Sequence, residues 1–92
     1  MKRFVRSRAV LSRKVGGEIL LAAVGRPKVD RLSDSAGAVW SLLEEPMQTS
    51  AVVEVLSEAY GVPSRQIAGD VETLVADLLA RGWVEEVGAD DG

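Results

Sequence analysis

The sequence contains no cysteine and no histidine among its 92 residues. Without cysteine the chain has no disulfide, no thiol nucleophile and no zinc–thiolate site. Without histidine it can build neither a Ser-His-Asp nor a Cys-His arrangement, and the usual transition-metal sites lose their commonest ligand. Carboxylates, Lys, Arg and the single tyrosine, Tyr60, are the only acid–base groups left. We therefore predict a binding protein that is not an enzyme and uses no metal and no cofactor.

Motifs for phosphate binding and for membrane insertion are also missing. Gly16-Gly17 precedes a predicted strand, and neither G-x-G-x-x-G nor G-x-x-x-x-G-K occurs. The longest apolar runs, such as residues 19–24, are far too short to cross a bilayer. The basic N-terminus is not followed by an apolar stretch of signal-peptide length. We expect a soluble, cytoplasmic protein.

The length of the chain predicts one domain, and its charge is distributed unevenly between a basic first part and an acidic remainder. We predict a mobile basic arm at residues 1–7, a single domain at residues 8–87 and a disordered polar tail at residues 88–92. Residues 1–31 hold nine Lys or Arg and two carboxylates, for a net charge of +7. Residues 32–92 hold two and twelve, for a net charge of −10.

The first third of the chain has the pattern of antiparallel strands joined by tight turns. Short β-branched and leucine-containing runs are broken by glycine and proline there. Gly16-Gly17 is the predicted hairpin connection, and Gly25-Arg26-Pro27 makes the next turn. We expect the second strand to be the best buried. The predicted strands span residues 8–15, 18–24 and 28–32.

Apolar residues then recur at three- and four-residue intervals, which predicts helices. Ser33 or Asp34 is the expected N-cap of the first helix and Pro46 stops it, whereas Thr49 or Ser50 is the expected N-cap of the second. A short side-chain oxygen at these positions accepts a hydrogen bond from a free N–H of the first turn.

Glycines mark the ends of the other two helices. Gly61 and Gly82 are expected in the left-handed conformation that commonly ends a helix, and a short extended segment follows at residues 83–87. The predicted helices span residues 34–45, 49–60 and 64–81. The sequence therefore predicts an α+β fold of winged helix-turn-helix-like architecture, with a three-stranded antiparallel sheet followed by three helices.

The third helix has an unusually wide apolar face. At roughly 100° per residue, six apolar residues fall within about 140°. They are Ile67, Val71, Leu74, Val75, Leu78 and Leu79. Asp70 and Asp77 lie on one margin near Arg81, and Glu72 lies on the other. Such a stripe is broader than a helix needs if it only seals a small core. The alternative interpretation is that the charged residues on its two margins are simply solvated.

The order of short motifs is similar to that of a known family. Residues 32–40, Leu-Ser-Asp-Ser-Ala-Gly-Ala-Val-Trp, resemble the leucine-polar, small-residue, aliphatic-tryptophan signature of the PqqD-like proteins, the peptide recognition elements of ribosomally made, modified peptides. The threonine-led helix that ends in Tyr60-Gly61 matches as well. So do the motifs of the third helix, Asp70-Val71, Leu74, Leu78 and Gly82-Trp83-Val84. The resemblance covers about residues 10–87.

Two turns depart from the pyrroloquinoline quinone member of that family. This chain has Gly25-Arg26-Pro27 where that member has a proline-glutamate-glycine turn, and Glu45-Pro46 where it has aspartate-glycine. A short, freestanding element resembles more closely the separate recognition proteins of lasso-peptide pathways. Those proteins present a precursor peptide to a leader peptidase and a cyclase, which the resemblance implies as partners here.

The resemblance also implies a binding site. In this family the leader peptide is bound as an added strand beside the third strand, in the groove that this strand makes with the third helix. An edge strand offers unpaired N–H and C=O groups, and side-chain pockets add selectivity. The implied ladder residues are Lys28, Val29, Asp30, Arg31 and Leu32. Val71, Leu74 and Leu78 would form the apolar wall, and Arg31, Asp70, Asp77 and Arg81 would make charged contacts.

Three alternatives stay open. A peptide on the opposite margin of the third helix would contact Glu72, Val75 and Leu79 instead. A subunit that only scaffolds an enzyme complex is compatible with the same sequence. A winged-helix DNA-binding protein has similar elements, but a helix that reads DNA needs cations for the phosphates. The third helix carries Asp70, Glu72 and Asp77 against Arg65 and Arg81, so we expect no nucleic-acid partner.

Overall fold

The computed structural model describes residues 2–88 and has an α+β fold. Strands β2, β3 and β4 form an antiparallel sheet in that order, and β1 pairs with β5 in a separate two-stranded sheet. The tail predicted at residues 88–92 lies, apart from Gly88, outside the described residues. The elements are β1 (Arg3–Arg6), β2 (Val10–Val15), β3 (Glu18–Ala23), β4 (Val29–Ser33), α1 (Asp34–Leu42), α2 (Thr49–Tyr60), α3 (Ser64–Arg81) and β5 (Val84–Val87).

The three-stranded sheet confirms the predicted strands and hairpin. Val15 pairs with Glu18 across the two-residue turn, in which Gly16 has a φ of 62°. Because that region is strained for side chains other than glycine, the turn depends on this residue. The third strand begins at Val29 and ends at Ser33, one residue later than predicted at each end.

The prediction of a mobile N-terminal arm is wrong for residues 3–6, which form β1. This strand pairs antiparallel with β5, and the Phe4 N–H donates to the Met47 carbonyl at 2.8 Å. The Arg6 guanidinium lies 4.1 Å from the centroid of the Trp40 ring and donates to the Trp40 and Ser41 carbonyls. Those carbonyls belong to the last turn of α1, where intrahelical partners run out. The arm is therefore ordered by residues far away in the sequence.

The second and third helices have the predicted bounds, whereas α1 ends at Leu42 rather than at residue 45. The Leu43 N–H donates to the Trp40 carbonyl at 3.1 Å, a tighter turn that closes the helix before Pro46. The predicted side-chain caps of α2 are wrong, because Gln48 is its N-cap and makes no side-chain cap hydrogen bond. The glycine ends are confirmed, with φ of 68° at Gly61 and 83° at Gly82.

The core fills the space between the inner face of the sheet, the three helices and β5. Strand β3 supplies Ile19 and Leu21, as expected for the best buried strand. The indole N–H of Trp40 faces the Trp83 carbonyl at 3.5 Å, so the two tryptophans meet at the centre. The other buried apolar residues are Leu32, Val39, Leu43, Val52, Val53, Leu56, Val71, Val75, Leu78 and Val84.

The outer face of the sheet is apolar and uncovered. Side chains alternate between the faces of a strand, so the register places Leu11, Leu20 and Val29 together on the side away from the core. All three are exposed, and they line a shallow depression of about 580 Å³ with Arg13 and Arg31. Within residues 2–88, every helix is too short or too polar to traverse a bilayer.

Candidate functional site

Strand β4 has one open edge. It pairs with β3 on one side, and no strand within residues 2–88 pairs with its other side. The Ala23 N–H donates to the Lys28 carbonyl at 2.9 Å, and the pairing continues in register along the strand. In an antiparallel pair alternate residues bond to the partner strand. The backbone groups of Lys28, Asp30 and Leu32 therefore bond to β3, and those of Val29, Arg31 and Ser33 point to the open edge.

Helix α3 lies near both ends of β4. Its last turn meets the start of β4, where Lys28 Nζ donates to the Arg81 carbonyl and Arg81 Nη1 lies 2.6 Å from Asp30 Oδ2. Its first half lines a cavity together with the start of α1, which directly follows β4. We call the space between the open edge of β4 and α3 the groove. One end is closed by the contacts of Asp30, and the other end leads to a cavity.

The cavity lies between α1, α2 and α3 and has a volume of about 140 Å³. Val71 and Leu74 of α3 belong to its mainly apolar lining, and Asp70 and Tyr60 supply polar groups to it. An apolar cavity with a few polar groups is the usual form of a specificity pocket. The remaining lining residues are Ser35, Val39, Leu56 and Ile67.

The closed end of the groove is a compact polar cluster. Asp30 Oδ2 accepts from Arg81 Nη1 at 2.6 Å and from the Trp83 indole N–H at 2.9 Å. Arg81 Nε also lies 3.2 Å from Asp77 Oδ2, and Lys28 Nζ lies 4.8 Å from the centroid of the Trp83 ring. The last turn of α3 is thus tied to β4 through side chains.

These contacts hold the pKa of Asp30 below its ordinary value. Burial alone would raise that pKa, but the hydrogen bonds from Arg81, the Arg31 amide and Trp83, together with the charge of Arg81, outweigh the burial. The hydrogen bond with Asp30 and the charges of Asp30 and Asp77 raise the pKa of Arg81 in turn. Asp30 is therefore a carboxylate at neutral pH and a fixed acceptor at this end of the groove.

The structure divides the predicted site residues into four groups. Lys28, Asp30, Asp77 and Arg81 meet at the closed end, and Asp70, Val71 and Leu74 meet at the cavity. Val29 and Arg31 offer only backbone to the open edge, because their side chains lie on the outer face of the sheet. Leu32 and Leu78 are buried in the core.

Sequence reasoning gave no role at the site to Trp83 and Tyr60. Trp83 belongs to one of the family motifs, and because its ring is buried its indole N–H needs an acceptor. Asp30 is that acceptor. Tyr60 lies at the end of α2 with about half of its surface exposed, at 54 %, which is a signal that the sequence alone does not carry.

Two solved structures share the fold. The chain superposes on TbiB1 in complex with the TbiA(beta) leader peptide with a TM-score of 0.77 and 24 % identity, covering 95 % of this chain and 99 % of that one. It superposes on the PqqD truncation of PqqCD from Methylobacterium extorquens, described as a functional and stand-alone RiPP recognition element, with a TM-score of 0.73 and 22 % identity, covering 90 % and 88 % of the two chains.

Sequence comparison assigns the family. No curated protein matches the chain in sequence. The family model for coenzyme PQQ synthesis protein D (PqqD) matches residues 15–84, which include β3, β4 and all three helices. The matched region therefore contains both walls of the groove and the lining of the cavity, and the chain belongs to the PqqD family.

Proposed function

We propose that this protein binds the leader segment of a ribosomally made precursor peptide as an added β-strand on the open edge of β4. The observation that carries the proposal is that this edge lies beside α3, between a fixed polar cluster and an apolar cavity. The likeness to TbiB1, whose structure contains a leader peptide, supports it. So does the likeness to a stand-alone RiPP recognition element.

Strand addition accounts for both affinity and selectivity. Each ladder hydrogen bond contributes only about 0.5–1.5 kcal/mol net, and any extended peptide can form it. The cavity lined by Val71 and Leu74 would take an apolar side chain of the leader, which adds sequence preference. Asp70 at the cavity and Asp77 and Arg81 at the closed end would offer charged groups to the peptide.

The protein acts as a recognition subunit rather than as a catalyst in this proposal. It presents the bound precursor to processing enzymes, namely a leader peptidase and, in a lasso-peptide pathway, a cyclase. The chain lacks His and Cys throughout, and within residues 2–88 no cluster of carboxylates that could hold a metal ion occurs. DNA binding is disfavoured because Asp70, Glu72 and Asp77 are all exposed on α3.

Calorimetric titration with synthetic peptides tests the proposal. We expect a leader of about 15–20 residues to bind with a Kd at or below about 1 µM, equivalent to about −8 kcal/mol. The core peptide of the same precursor should add little affinity. Binding of the isolated core as tight as that of the leader would contradict the proposal. Cleavage or ring formation by the protein without a second protein would contradict its role as a recognition subunit.

A further inference from the structure

One donor on the open edge of β4 already has a partner within the protein. The Arg31 N–H points away from β3 and donates to Oδ1 of Asp30, the preceding residue, at 2.8 Å. The other oxygen of the same carboxylate, Oδ2, accepts from Arg81 and Trp83. One side chain therefore joins the open edge of the sheet to the end of α3, and each of its oxygens is used.

An added strand requires the N–H that Asp30 occupies. The groups available for a new ladder are those of Val29, Arg31 and Ser33, and Arg31 is the middle one. A carbonyl of the incoming strand and Oδ1 of Asp30 would both accept from the same N–H. A backbone N–H that already donates to one strong acceptor forms at most a weak hydrogen bond with a second. The leader carbonyl and Asp30 Oδ1 therefore compete for the Arg31 N–H.

We propose that Asp30 is a removable cap on the binding edge. In the free protein its carboxylate covers the Arg31 N–H, and in the complex a leader carbonyl replaces Oδ1 while Oδ2 stays with Arg81 and Trp83. The inference rests on the proposed function, because it assumes a strand on this edge. The exchange breaks one hydrogen bond and forms one, and it moves no proton.

The cap explains how an open edge is kept from pairing with unrelated chains. Natural sheets protect their edges with charged side chains, among other devices. The cost of displacing Asp30 is the same for every peptide, so it leaves the ratio of two affinities unchanged. It does raise the Kd of every peptide by the same factor. Peptides that gain nothing from the cavity therefore stay unbound at concentrations at which the leader binds.

Asp30→Asn separates the two oxygens of the carboxylate. The amide keeps one acceptor and gains an NH₂ group. The acceptor goes to the cationic Arg81 and to Trp83, because hydrogen bonds to charged groups are the stronger ones. The NH₂ group then faces the Arg31 N–H and cannot cap it. We expect the leader to bind Asp30→Asn about 2- to 10-fold more tightly than the unchanged protein, which corresponds to one net hydrogen bond.

Glu18→Gln is the matched control. Glu18 Oε1 lies 3.4 Å from Arg31 Nε, so this change also removes one carboxylate beside Arg31, but on the outer face of the sheet. It should leave leader affinity within about 2-fold, because exposed ion pairs are weak. An equal gain in both variants would show that net charge, and not the cap, controls affinity. An unchanged or weaker affinity of Asp30→Asn would overturn the cap.

A measurement on the unchanged protein makes the test independent of the variant's folding. NMR scalar couplings from the Arg31 amide nitrogen to a carbonyl or carboxyl carbon identify the group whose oxygen accepts from the Arg31 N–H. The free protein should show coupling to the Asp30 carboxyl carbon, and the complex should show coupling to a leader carbonyl. If the leader does not bind, the proposed function fails, whereas the coupling in the free protein is still observed. Coupling to Asp30 that persists in the bound state overturns the cap alone.

Discussion

The three side chains predicted to form the apolar wall of the groove differ in exposure. Leu74 is half-buried beside the cavity, whereas Val71 and Leu78 are almost completely buried in the core. Only Leu74 among these three therefore has surface to offer a peptide. Its substitution should affect binding more than a fully buried leucine would, and folding less.

The first prediction at this scale concerns Leu74. Leu74→Ala should weaken leader binding by about 1–3 kcal/mol, because apolar contact is worth about 25 cal/mol per Å². Its cost in unfolding free energy should fall at or below the low end of the about 2–5 kcal/mol typical of buried leucines. Calorimetry and urea denaturation measure the two effects. Leu79→Ala is the control, since Leu79 lies on the opposite margin and does not line the cavity. A greater loss of affinity in the control would show that the peptide binds along the margin of α3 that carries Glu72.

The second prediction concerns pH and Asp30. Because the pKa of Asp30 is lower in the folded protein than its ordinary value of 3.8, its contacts add stability above that value. This contribution is lost as the pH falls through the lowered folded pKa. The difference in unfolding free energy between the unchanged protein and Asp30→Asn should therefore be constant near neutral pH and shrink below about pH 4. Denaturation at a series of pH values measures it. A difference that grows on acidification would contradict the assigned contacts.

At the scale of elements, the molecule is held together by pairings between distant parts of the chain. Strand β1 is joined to β5, and Arg6 joins β1 to the end of α1. The groove depends on a similar link, the side chains that tie β4 to the end of α3. The two links are separate, so they should respond to different substitutions.

A third prediction follows from the link made by Arg6. Arg6→Ala removes a cation–π contact and two hydrogen bonds to helix carbonyls. We expect a loss of about 1–3 kcal/mol in unfolding free energy, with leader affinity unchanged. Arg3→Ala at the exposed start of β1 is the control and should stay within about 0.5 kcal/mol. Thermal and urea denaturation measure the change. Equal stability of the two variants would contradict the role of Arg6.

The sequence predicted the elements whose signals are local. Gly16-Gly17 marked the hairpin, and the period of apolar residues together with Gly61 and Gly82 fixed the ends of α2 and α3. The β1–β5 sheet was missed because Arg3–Arg6 has a partner more than seventy residues away, which no local pattern reveals. The early end of α1 was missed for the same reason, since Arg6 binds its last carbonyls.

The site could be predicted only as a set of residues. The resemblance indicated the strand and the helix, but which side chains of β4 face α3 depends on the register with β3. That register turns Lys28 and Asp30 toward α3 and sends Val29 and Arg31 to the outer face. The contact between Asp30 and the Arg31 N–H also depends on which edge of β4 is open.

At the scale of the whole molecule, the groove and the outer face of the sheet are exposed regions with different character. The groove combines an open edge, charged groups and a small cavity, and the outer face of the sheet is broad and apolar. The groove lies along the open edge of β4, whereas Leu11 and Leu20 lie on the outer face of β2 and β3, so changes at these two residues should not reach the groove.

A fourth prediction tests this separation. The double change Leu11→Thr and Leu20→Thr makes the outer face more polar, and threonine is β-branched and therefore well suited to strands. Binding of a fluorescent dye that reports exposed apolar surface should fall, and leader affinity should stay within about 2-fold. Dye titration and calorimetry provide the two readouts. A large loss of leader affinity in a folded variant would show that the outer face is part of the binding site.

Hydrogen exchange of backbone amides with and without the leader tests the central claim most directly. The amides of Val29 and Ser33 point to the open edge of β4, and by the same alternation those of Ser12 and Lys14 point to the open edge of β2. Leader binding should slow exchange at Val29 and Ser33 and leave Ser12 and Lys14 unchanged. Protection at β2 instead, or no protection on β4 with the protein saturated by leader, would contradict strand addition on β4.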